Sequence, residues 1–421
     1  MILSRRRVLQ AGVAGLALPS LALPSLVRAA AARVVVIGGG FAGAMAARSL
    51  AAHGLDVKLL EPNATYTACP LSNAVIGGFR PMEAQNFSYQ RLAASGVRVV
   101  AQAAQAVDPV KREVVLSDGE RLPYEKLVIA PGIDLRFDAL PGYDEQAAAI
   151  MPHAWKAGSQ TLLLRQQLEA MPDGGLVGMV IPANPYRCPP GPYERASLIA
   201  HYLKARKPKS KLILFDAKDS FSKQKLFQAA WERLYPGLIE WVPLSQGGKV
   251  VDVIPSERVI VTEFGRHKVD VGNVIPPQRA GAIAQSSGLA DRTGWCPVRA
   301  TNFESTLLPN AYVIGDAAIM GTMPKSAFAA HVQAMACAAA ITANLQGEPL
   351  SPFKLINACY SLISPDEAIS VTGVYQARND RLVDVEGAGG VSASDLSADG
   401  RAMEARYAED WFNRVTWQTY G

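Results

Sequence analysis

Short β-branched runs that end at glycine dominate the pattern of the first third of the chain. Arg33–Ile37 reads Arg-Val-Val-Val-Ile, leads directly into the glycine-rich residues 38–43, and is followed by an alanine- and leucine-rich stretch to about His53. This order predicts a strand, a tight turn and a helix. A second apolar run, residues 57–60, predicts the next strand and ends at Glu61.

The spacing within this segment indicates a dinucleotide site rather than a plain glycine turn. Gly38 permits the tight turn, Gly40 lets the backbone approach a pyrophosphate, and Gly43 lets the helix pack closely on the strand. The helix N-terminus favours the negative charge of the phosphates. Glu61 follows Gly38 by 23 residues, where a carboxylate that binds the adenosine ribose is expected.

A second strand-turn-helix pattern lies much later in the chain. Residues 311–314 form an apolar run that leads into Gly315, Asp316 and Ala317, and a helix is predicted to begin near Pro324. This pattern resembles the second flavin motif of flavoproteins with two dinucleotide-binding domains, in which the aspartate binds the ribityl chain and the helix points at the flavin. Alone, Asp316 is also consistent with an N-cap or a turn residue. Paired with the first motif, it favours FAD over NAD as the primary cofactor.

The middle of the chain has the strands of a second nucleotide domain without its phosphate loop. The predicted strand Leu176–Ile181 is followed by residues 182–192, which include five prolines. Proline has no backbone N–H to hold a phosphate. We therefore expect a domain that has kept its fold and lost NAD binding, with Asp216 as a scaffold residue, and an electron donor other than NAD(P)H.

Together these patterns predict an α/β fold with two Rossmann-like dinucleotide-binding domains of the disulfide-reductase type and a C-terminal α+β interface domain. In the C-terminal domain, the four-residue spacing of Met403, Tyr407, Trp411 and Val415 predicts one apolar helix stripe over the flavin or at a subunit interface. The expected segments are residues 1–32 (export signal), 33–149 and 276–350 (FAD-binding domain), 150–275 (second Rossmann-like domain) and 351–421 (C-terminal domain).

The N-terminus is typical of a twin-arginine export signal. Arg5, Arg6 and Arg7 precede an apolar stretch to Val27, with small residues around Arg28. We expect no segment after Ala32 to have the length and apolarity of a second membrane span, and therefore a soluble periplasmic protein with no integral membrane segment. The net charge of +5 falls to +1 once the four arginines of the signal are subtracted, which argues against nucleic-acid binding. The 49% apolar and 19% charged composition is ordinary for a globular enzyme and excludes a disordered chain.

Five cysteines suggest redox chemistry in an oxidising compartment, and their spacing predicts no metal site. Cys188, in the proline-rich loop, and Cys359, after the last flavin motif, are candidates for a redox-active disulfide, although the sequence alone does not fix that pairing. Cys69 lies in the loop after the ribose strand and is a candidate for a thioether to the flavin; the alternatives are a third redox thiol or an inert one. Cys296 and Cys337 are expected to be small buried residues.

Several segments make the chain similar to the flavoprotein subunit of flavocytochrome c sulfide dehydrogenase. The segments are residues 61–63, 66–69, 71–73, 75–78, 187–197, 275–281, 294–298 and 323–326. The resemblance implies FAD attached through Cys69, a redox-active disulfide between Cys188 and Cys359, and Glu194 and Trp411 near the flavin. We also assign Lys325, in the last of these segments, to the cofactor site.

The implied activity is oxidation of hydrosulfide by the disulfide, with electrons passing through FAD to haem c on a partner cytochrome subunit. The chain has no Cys-x-x-Cys-His motif, so the haem belongs to another polypeptide. Glu194 is the candidate for proton transfer; a salt bridge to Arg195 or a helix-start role is the alternative. Two other functions stay open: a sulfide:quinone oxidoreductase, or a non-catalytic thiol-exchange flavoprotein that serves a sulfur carrier.

Overall fold

The computed structural model describes residues 32–421, so the expected export signal lies outside the described residues apart from Ala32. The described helices are α1 (Phe41–Ala52), α2 (Ser72–Gly77), α3 (Gln90–Ala94), α4 (Glu145–Ile150), α5 (Ser159–Ala170), α6 (Gly191–Arg206), α7 (Gln224–Leu234), α8 (Ala282–Ser286), α9 (Ala327–Gln346) and α10 (Ala398–Tyr420). The described strands are β1 (Arg33–Ile37), β2 (Asp56–Leu60), β3 (Thr65–Thr67), β4 (Asn86–Ser88), β5 (Arg98–Val100), β6 (Ala104–Asp108), β7 (Glu113–Leu116), β8 (Arg121–Pro123), β9 (Lys126–Ile129), β10 (Ile133–Leu135), β11 (Leu176–Ile181), β12 (Lys211–Asp216), β13 (Ile239–Val242), β14 (Val250–Ile254), β15 (Val259–Thr262), β16 (Gly265–Lys268), β17 (Val271–Val274), β18 (Gln278–Ala280), β19 (Cys296–Pro297), β20 (Ala311–Val313), β21 (Ala318–Ile319), β22 (Lys354–Leu362), β23 (Ala368–Arg378), β24 (Arg381–Asp384) and β25 (Gly390–Val391).

The first sheet brings the two predicted flavin motifs together. Its strand order is β20-β9-β1-β2-β5, and all of its pairings are parallel. Residues 34–37 of β1 are all buried, as expected for a parallel strand covered on both faces. Because β20 lies in the same sheet as β1, the turn at Gly38 and the turn at Gly315 follow strands at one carboxyl edge. This edge is where open α/β sheets bind their ligands.

The second sheet has the order β13-β12-β11-β17 and is also parallel. Strand β11 ends at Ile181 beside Asp216, the last residue of β12. Helix α6 follows the proline-rich loop and is buried along most of its length. This sheet and helix form the second Rossmann-like unit expected for the middle of the chain.

The C-terminal segment forms an antiparallel sheet, β22-β23-β24 with β25 beside β23, on which α10 packs. The predicted apolar stripe of α10 is confirmed in part: Val415 is buried and Trp411 packs against the core, whereas Met403 and Tyr407 are 41% and 49% exposed. The buried side of this helix combines small and large residues, namely Ala405, Ala408, Phe412, Val415, Thr416, Thr419 and Tyr420.

The expectation that no segment after Ala32 has the length and apolarity of a membrane span was wrong. Helix α9 has 20 residues and a mean hydropathy of 1.3 in its most apolar window, which suffices by length and composition. In the structure, 56% of that window is buried inside the protein. Helix α9 packs against α1 beside the first sheet, so its apolar character is used by the fold.

Candidate functional site

A cleft of about 730 Å³, here called the central cleft, opens at the carboxyl edge of the first sheet. Its walls come from the two glycine turns, the proline-rich loop before α6, strand β22 and helix α10. Ten of the twelve predicted site residues line it: Gly38, Gly40, Glu61, Cys69, Cys188, Glu194, Gly315, Asp316, Cys359 and Trp411.

The first glycine turn has the geometry of a phosphate cradle. Gly38 has φ of +97°, and a Cβ there would lie 2.4 Å from the carbonyl oxygen of Ala130. A Cβ on Gly43 would lie 1.9 Å from the Gly38 carbonyl oxygen, so Gly43 serves the close approach of helix and turn and does not line the central cleft. Glu61 Oε2 accepts a 2.9 Å hydrogen bond from the Gly39 amide, which fixes this carboxylate at the cleft.

The second turn presents a buried acid with an unused acceptor. Asp316 Oδ1 is buried and has no hydrogen-bond partner among the described residues. Burial raises the pKa of Asp316, and the nearby charges of Arg187 and Lys325 oppose that shift. Such an orphaned oxygen fits a hydroxyl of the ribityl chain. With the phosphate cradle and the start of α9, capped by Ser326, in the same cleft, the residues present fit FAD.

Lys325, which the sequence assigned to the cofactor site, lies outside the cleft lining. Its Nζ donates hydrogen bonds to the carbonyl oxygens of Asp316 at 2.8 Å and Ala318 at 2.7 Å. The ammonium also stands 3.9 Å from the centre of the Trp295 ring. Lys325 therefore braces the turn that carries Asp316. The sequence located the motif but not the direction of this side chain.

Cys188 and Cys359 come from distant segments, and both line the central cleft. Cys188 precedes α6, with φ of +55°, and its amide donates to the Lys325 carbonyl oxygen at 2.7 Å. Cys359 lies in β22, and Asn357 Nδ2 is 3.4 Å from its sulfur. Burial raises the pKa of Cys188, and the adjacent Cys359 raises it further, as two neighbouring thiols must. Both are free thiols in this structure.

The other three cysteines separate into one cleft residue and two core residues. Cys69 lines the central cleft, with its sulfur 3.9 Å from the Trp155 carbonyl oxygen. Cys296 and Cys337 are fully buried, which confirms the sequence-based expectation for them. All five thiols are free, and among residues 32–421 no group of three or more His, Cys, Asp or Glu side chains is arranged to hold a metal ion.

Glu194 is buried in the first turn of α6 and lines the cleft. Its Oε1 accepts a 3.0 Å hydrogen bond from Asn73 Nδ2, while Arg195 donates instead to Asn73 Oδ1, Asn273 Oδ1 and the carbonyls of His153 and Ala154. The alternative of a Glu194–Arg195 salt bridge is therefore wrong. Burial raises the pKa of Glu194, which favours its protonated form. Asn73 is a site residue that the sequence reasoning missed, although it lies in one of the segments quoted for the resemblance.

The hydrogen-bonding capacity of Asp216 is used by side chains inside the second Rossmann-like unit. The carboxylate is fully buried and accepts hydrogen bonds from Tyr193 Oη at 2.6 Å, Lys218 Nζ at 2.6 Å and Trp241 Nε1 at 3.0 Å. The Tyr193 ring stacks on Phe221 with 3.6 Å between centroids. A carboxylate with three internal donors is unavailable to a ribose. The scaffold role expected for Asp216 is confirmed.

Trp411 closes the cleft from the C-terminal helix. Its ring stacks on Phe328 of α9, with centroids 5.7 Å apart and planes 10° apart. Because Phe328 also lines the central cleft, this pair joins the first turn of α9 to α10 at the cleft wall.

Comparison with known proteins gives three matching family models. Residues 161–276 match the central domain of the sulfide dehydrogenase [flavocytochrome c] flavoprotein chain, residues 351–419 match the flavin-binding domain of flavocytochrome c sulphide dehydrogenase, and residues 32–162 match the pyridine nucleotide-disulphide oxidoreductase family. The last match agrees with the Rossmann-like flavoprotein fold described above.

Individual relatives agree with these models. The chain is 49% identical over 45 residues to the sulfide dehydrogenase [flavocytochrome c] flavoprotein chain of Chlorobaculum thiosulfatiphilum, which covers 10% of this chain and 94% of that sequence. It is 24% identical over 322 residues to the mitochondrial sulfide:quinone oxidoreductase of Mus musculus, covering 72% and 68% of the two chains. The solved sulfide:quinone oxidoreductase of Aquifex aeolicus superposes with a TM-score of 0.72 at 18% identity over 92% of each chain.

Proposed function

This chain belongs to the flavocytochrome c sulfide dehydrogenase flavoprotein family and is an oxidoreductase that acts on sulfide, and we propose that it oxidises hydrosulfide through Cys188 and Cys359 and passes the electrons to a cytochrome c subunit. The observation that carries this proposal is the meeting of two cysteines from distant segments in the cleft that fits FAD. Two thiols in one cleft with a flavin are the arrangement that moves electron pairs out of sulfur compounds.

The reaction begins with the two cysteines joined as a disulfide. Hydrosulfide attacks one sulfur, the bond between Cys188 and Cys359 breaks, and the products are a persulfide on one cysteine and a thiolate on the other. A second hydrosulfide removes the outer sulfur as HSS⁻ and leaves a second thiol. Bound FAD would accept the two electrons and so let the disulfide close again.

The residues around the pair manage charge and protons. Glu194, whose pKa is raised by burial, lies in the same cleft as both sulfurs. Asn73 fixes the Glu194 carboxyl by the hydrogen bond at 3.0 Å. Glu194 can therefore donate to a leaving thiolate and take the proton back when the disulfide re-forms.

Attachment of FAD to Cys69 is supported by the position of this thiol in the cleft lining and by two guanidinium groups near it. Arg187 and Arg195 both interact electrostatically with Cys69. Periplasmic location is supported by the paired arginines and apolar stretch of the N-terminal sequence.

The test is anaerobic rapid mixing of the oxidised holoprotein with sulfide, followed by addition of cytochrome c. We expect sulfide to bleach the flavin and cytochrome c to recolour it. Cys188→Ala and Cys359→Ala should each lower the bleaching rate by about 10³-fold or more. Cys337→Ala, the same change at a buried cysteine outside the cleft lining, is the matched control and should retain the rate. Bleaching at the wild-type rate in either cleft variant would refute the proposed use of the pair.

A quinone is the second candidate acceptor, favoured by the similarity to the mouse sulfide:quinone oxidoreductase over 72% of this chain. The same assay separates the two acceptors. If cytochrome c leaves the sulfide-reduced flavin unchanged while a soluble quinone reoxidises it, a quinone and not cytochrome c is the electron acceptor.

A further inference from the structure

Lys223 is a buried lysine beside the cysteine pair that the proposed reaction does not yet use. It precedes α7, is 8% exposed, and lies outside the lining of the central cleft. Its Nζ donates three hydrogen bonds, to the Cys359 carbonyl oxygen at 2.9 Å, to Ser361 Oγ at 2.8 Å and to the Ile369 carbonyl oxygen at 3.0 Å. These bonds hold the ammonium against strands β22 and β23, in contact with the backbone of Cys359.

All three acceptors are neutral, and that is costly for a buried ammonium. Among residues 32–421, Lys223 forms no ion pair with a carboxylate, whereas the nearby buried Lys218 is paired with Asp216 at 2.6 Å. An ammonium taken out of water needs an opposite charge to offset its lost hydration. Carbonyl and hydroxyl dipoles satisfy its hydrogen bonds but leave its charge without a compensating one.

The groups near Lys223 that can become negative belong mainly to the site. They are Cys359 on β22, Glu194 on α6, Cys188 in the loop before α6, and Glu404 on α10. Burial lowers the pKa of Lys223 to about 8, which leaves the ammonium mostly protonated at neutral pH. Arg187 adds a second positive charge on the Cys188 side. Ser392 Oγ donates to both carboxylate oxygens of Glu404 at 2.7 Å, so Glu404 has a hydrogen-bond partner other than Lys223.

We propose that Lys223 is a positioning residue that provides the fixed positive charge for the reduced cysteine pair. The inference rests on the proposed function, because the charge matters only when the pair is opened. When hydrosulfide attacks, the Cys188–Cys359 bond breaks, a new S–S bond forms to one cysteine, and one negative charge moves onto the other sulfur. The ammonium keeps its proton and stays bonded to the Cys359 carbonyl oxygen, close to that new charge. It therefore favours opening of the disulfide without touching the substrate.

The experiment measures thiolate formation directly and needs no sulfide. The reduced holoprotein is alkylated with iodoacetamide across a range of pH, and the Cys188 and Cys359 peptides are quantified by mass spectrometry. Loss of a positive charge a few ångströms away raises a thiol pKa by about one to three units. We expect Lys223→Met to move the alkylation midpoint of at least one of the two cysteines upward by about one unit or more, and Lys223→Arg to restore most of the shift.

Two controls separate charge from structural support. Lys207 is also buried and lies at the C-terminal end of α6, where its Nζ donates to the carbonyl oxygens of Glu169 and Met171. Lys207→Met therefore removes a comparable buried ammonium away from the cysteines. It should destabilise the protein and leave both alkylation midpoints in place. Ser361→Ala removes one acceptor and keeps the charge, so its shift should be much smaller than that of Lys223→Met. If Lys223→Met does not fold, Lys223→Gln, which keeps a donor without the charge, takes its place.

Unchanged alkylation midpoints in the Lys223→Met or Lys223→Gln protein would overturn the proposal, and so would an equal shift in Lys207→Met. These outcomes are distinct from failure of the proposed function. A protein that does not oxidise sulfide can still show the titration shift, and a protein that oxidises sulfide can lack it.

Discussion

The buried network around Asp216 gives a prediction that tests why the second Rossmann-like unit does not bind a nucleotide. Asp216→Ala removes the acceptor for the Tyr193 hydroxyl, the Trp241 ring N–H and the Lys218 ammonium. Lys218 is itself 9% exposed, so the substitution leaves a buried positive charge without its partner. Breaking a buried ion pair from one side typically costs about 3–5 kcal/mol. The two neutral donors left unpaired place the expected loss at the upper end of that range.

The assay is equilibrium unfolding in urea at neutral pH, with Asp216→Asn as the graded variant. The amide keeps an acceptor oxygen but loses the charge that faces Lys218, and we expect it to lower the free energy of unfolding by about 2 kcal/mol. Glu240→Ala, at an exposed position of β13 in the same sheet, should change it by less than about 0.5 kcal/mol. A loss below about 1 kcal/mol for Asp216→Ala would show that the Asp216–Lys218 pair does not stabilise this unit. NADH should also fail to reduce the flavin of the wild-type protein, since this carboxylate cannot reach a ribose.

Three further predictions concern the site and its surroundings. Burial and the positive charges of Arg195, Lys156 and Arg187 lower the pKa of His153 to about 3, so its imidazole stays neutral in the fold while the unfolded chain takes up a proton below pH 6.5. Through this residue, the free energy of unfolding should therefore fall by about 2–3 kcal/mol between pH 7 and pH 4.5. Urea unfolding of His153→Gln should show that most of this fall has disappeared. Because burial raises the pKa of Glu194 above 4.5, its contribution to stability is full below that pH and is lost as the pH rises. Glu194→Gln should flatten this pH dependence. The same variant should slow sulfide oxidation by about 10²-fold at unchanged flavin content. After acid precipitation the wild-type polypeptide should stay yellow and Cys69→Ala should be colourless; a yellow Cys69→Ala pellet, or a colourless wild-type one, would remove the proposed tether.

Local sequence pattern was sufficient for most of the framework. The bounds of β1 and β11 agree with the runs that predicted them, and α1 ends one residue before the expected His53. These elements are determined by short-range features: β-branched runs, glycines with an obligatory conformation, and an alanine-rich helix. The same features bring Gly38, Glu61 and Asp316 to one cleft.

The sequence was a poor guide wherever a side chain's direction depends on contacts with distant residues. Lys325 lies in a recognisable segment, yet its ammonium turns toward the carbonyls behind Asp316 rather than into the cleft. The apolar stripe predicted for α10 included Met403 and Tyr407, which are exposed, and missed Phe412 and Tyr420, which are buried. Asn73 and Lys223 act through partners more than 100 residues away, which no local pattern reveals.

The sulfur atom of the substrate can be followed onto the cysteine that it attacks. The oxidised holoprotein is mixed anaerobically with one equivalent of hydrosulfide, alkylated at once, digested, and analysed by mass spectrometry. The proposed chemistry predicts one additional sulfur on the peptide of either Cys188 or Cys359, with the other cysteine alkylated as a plain thiol. Bleaching of the flavin with no sulfur added to either peptide would contradict the use of these two cysteines as the entry point for sulfide electrons.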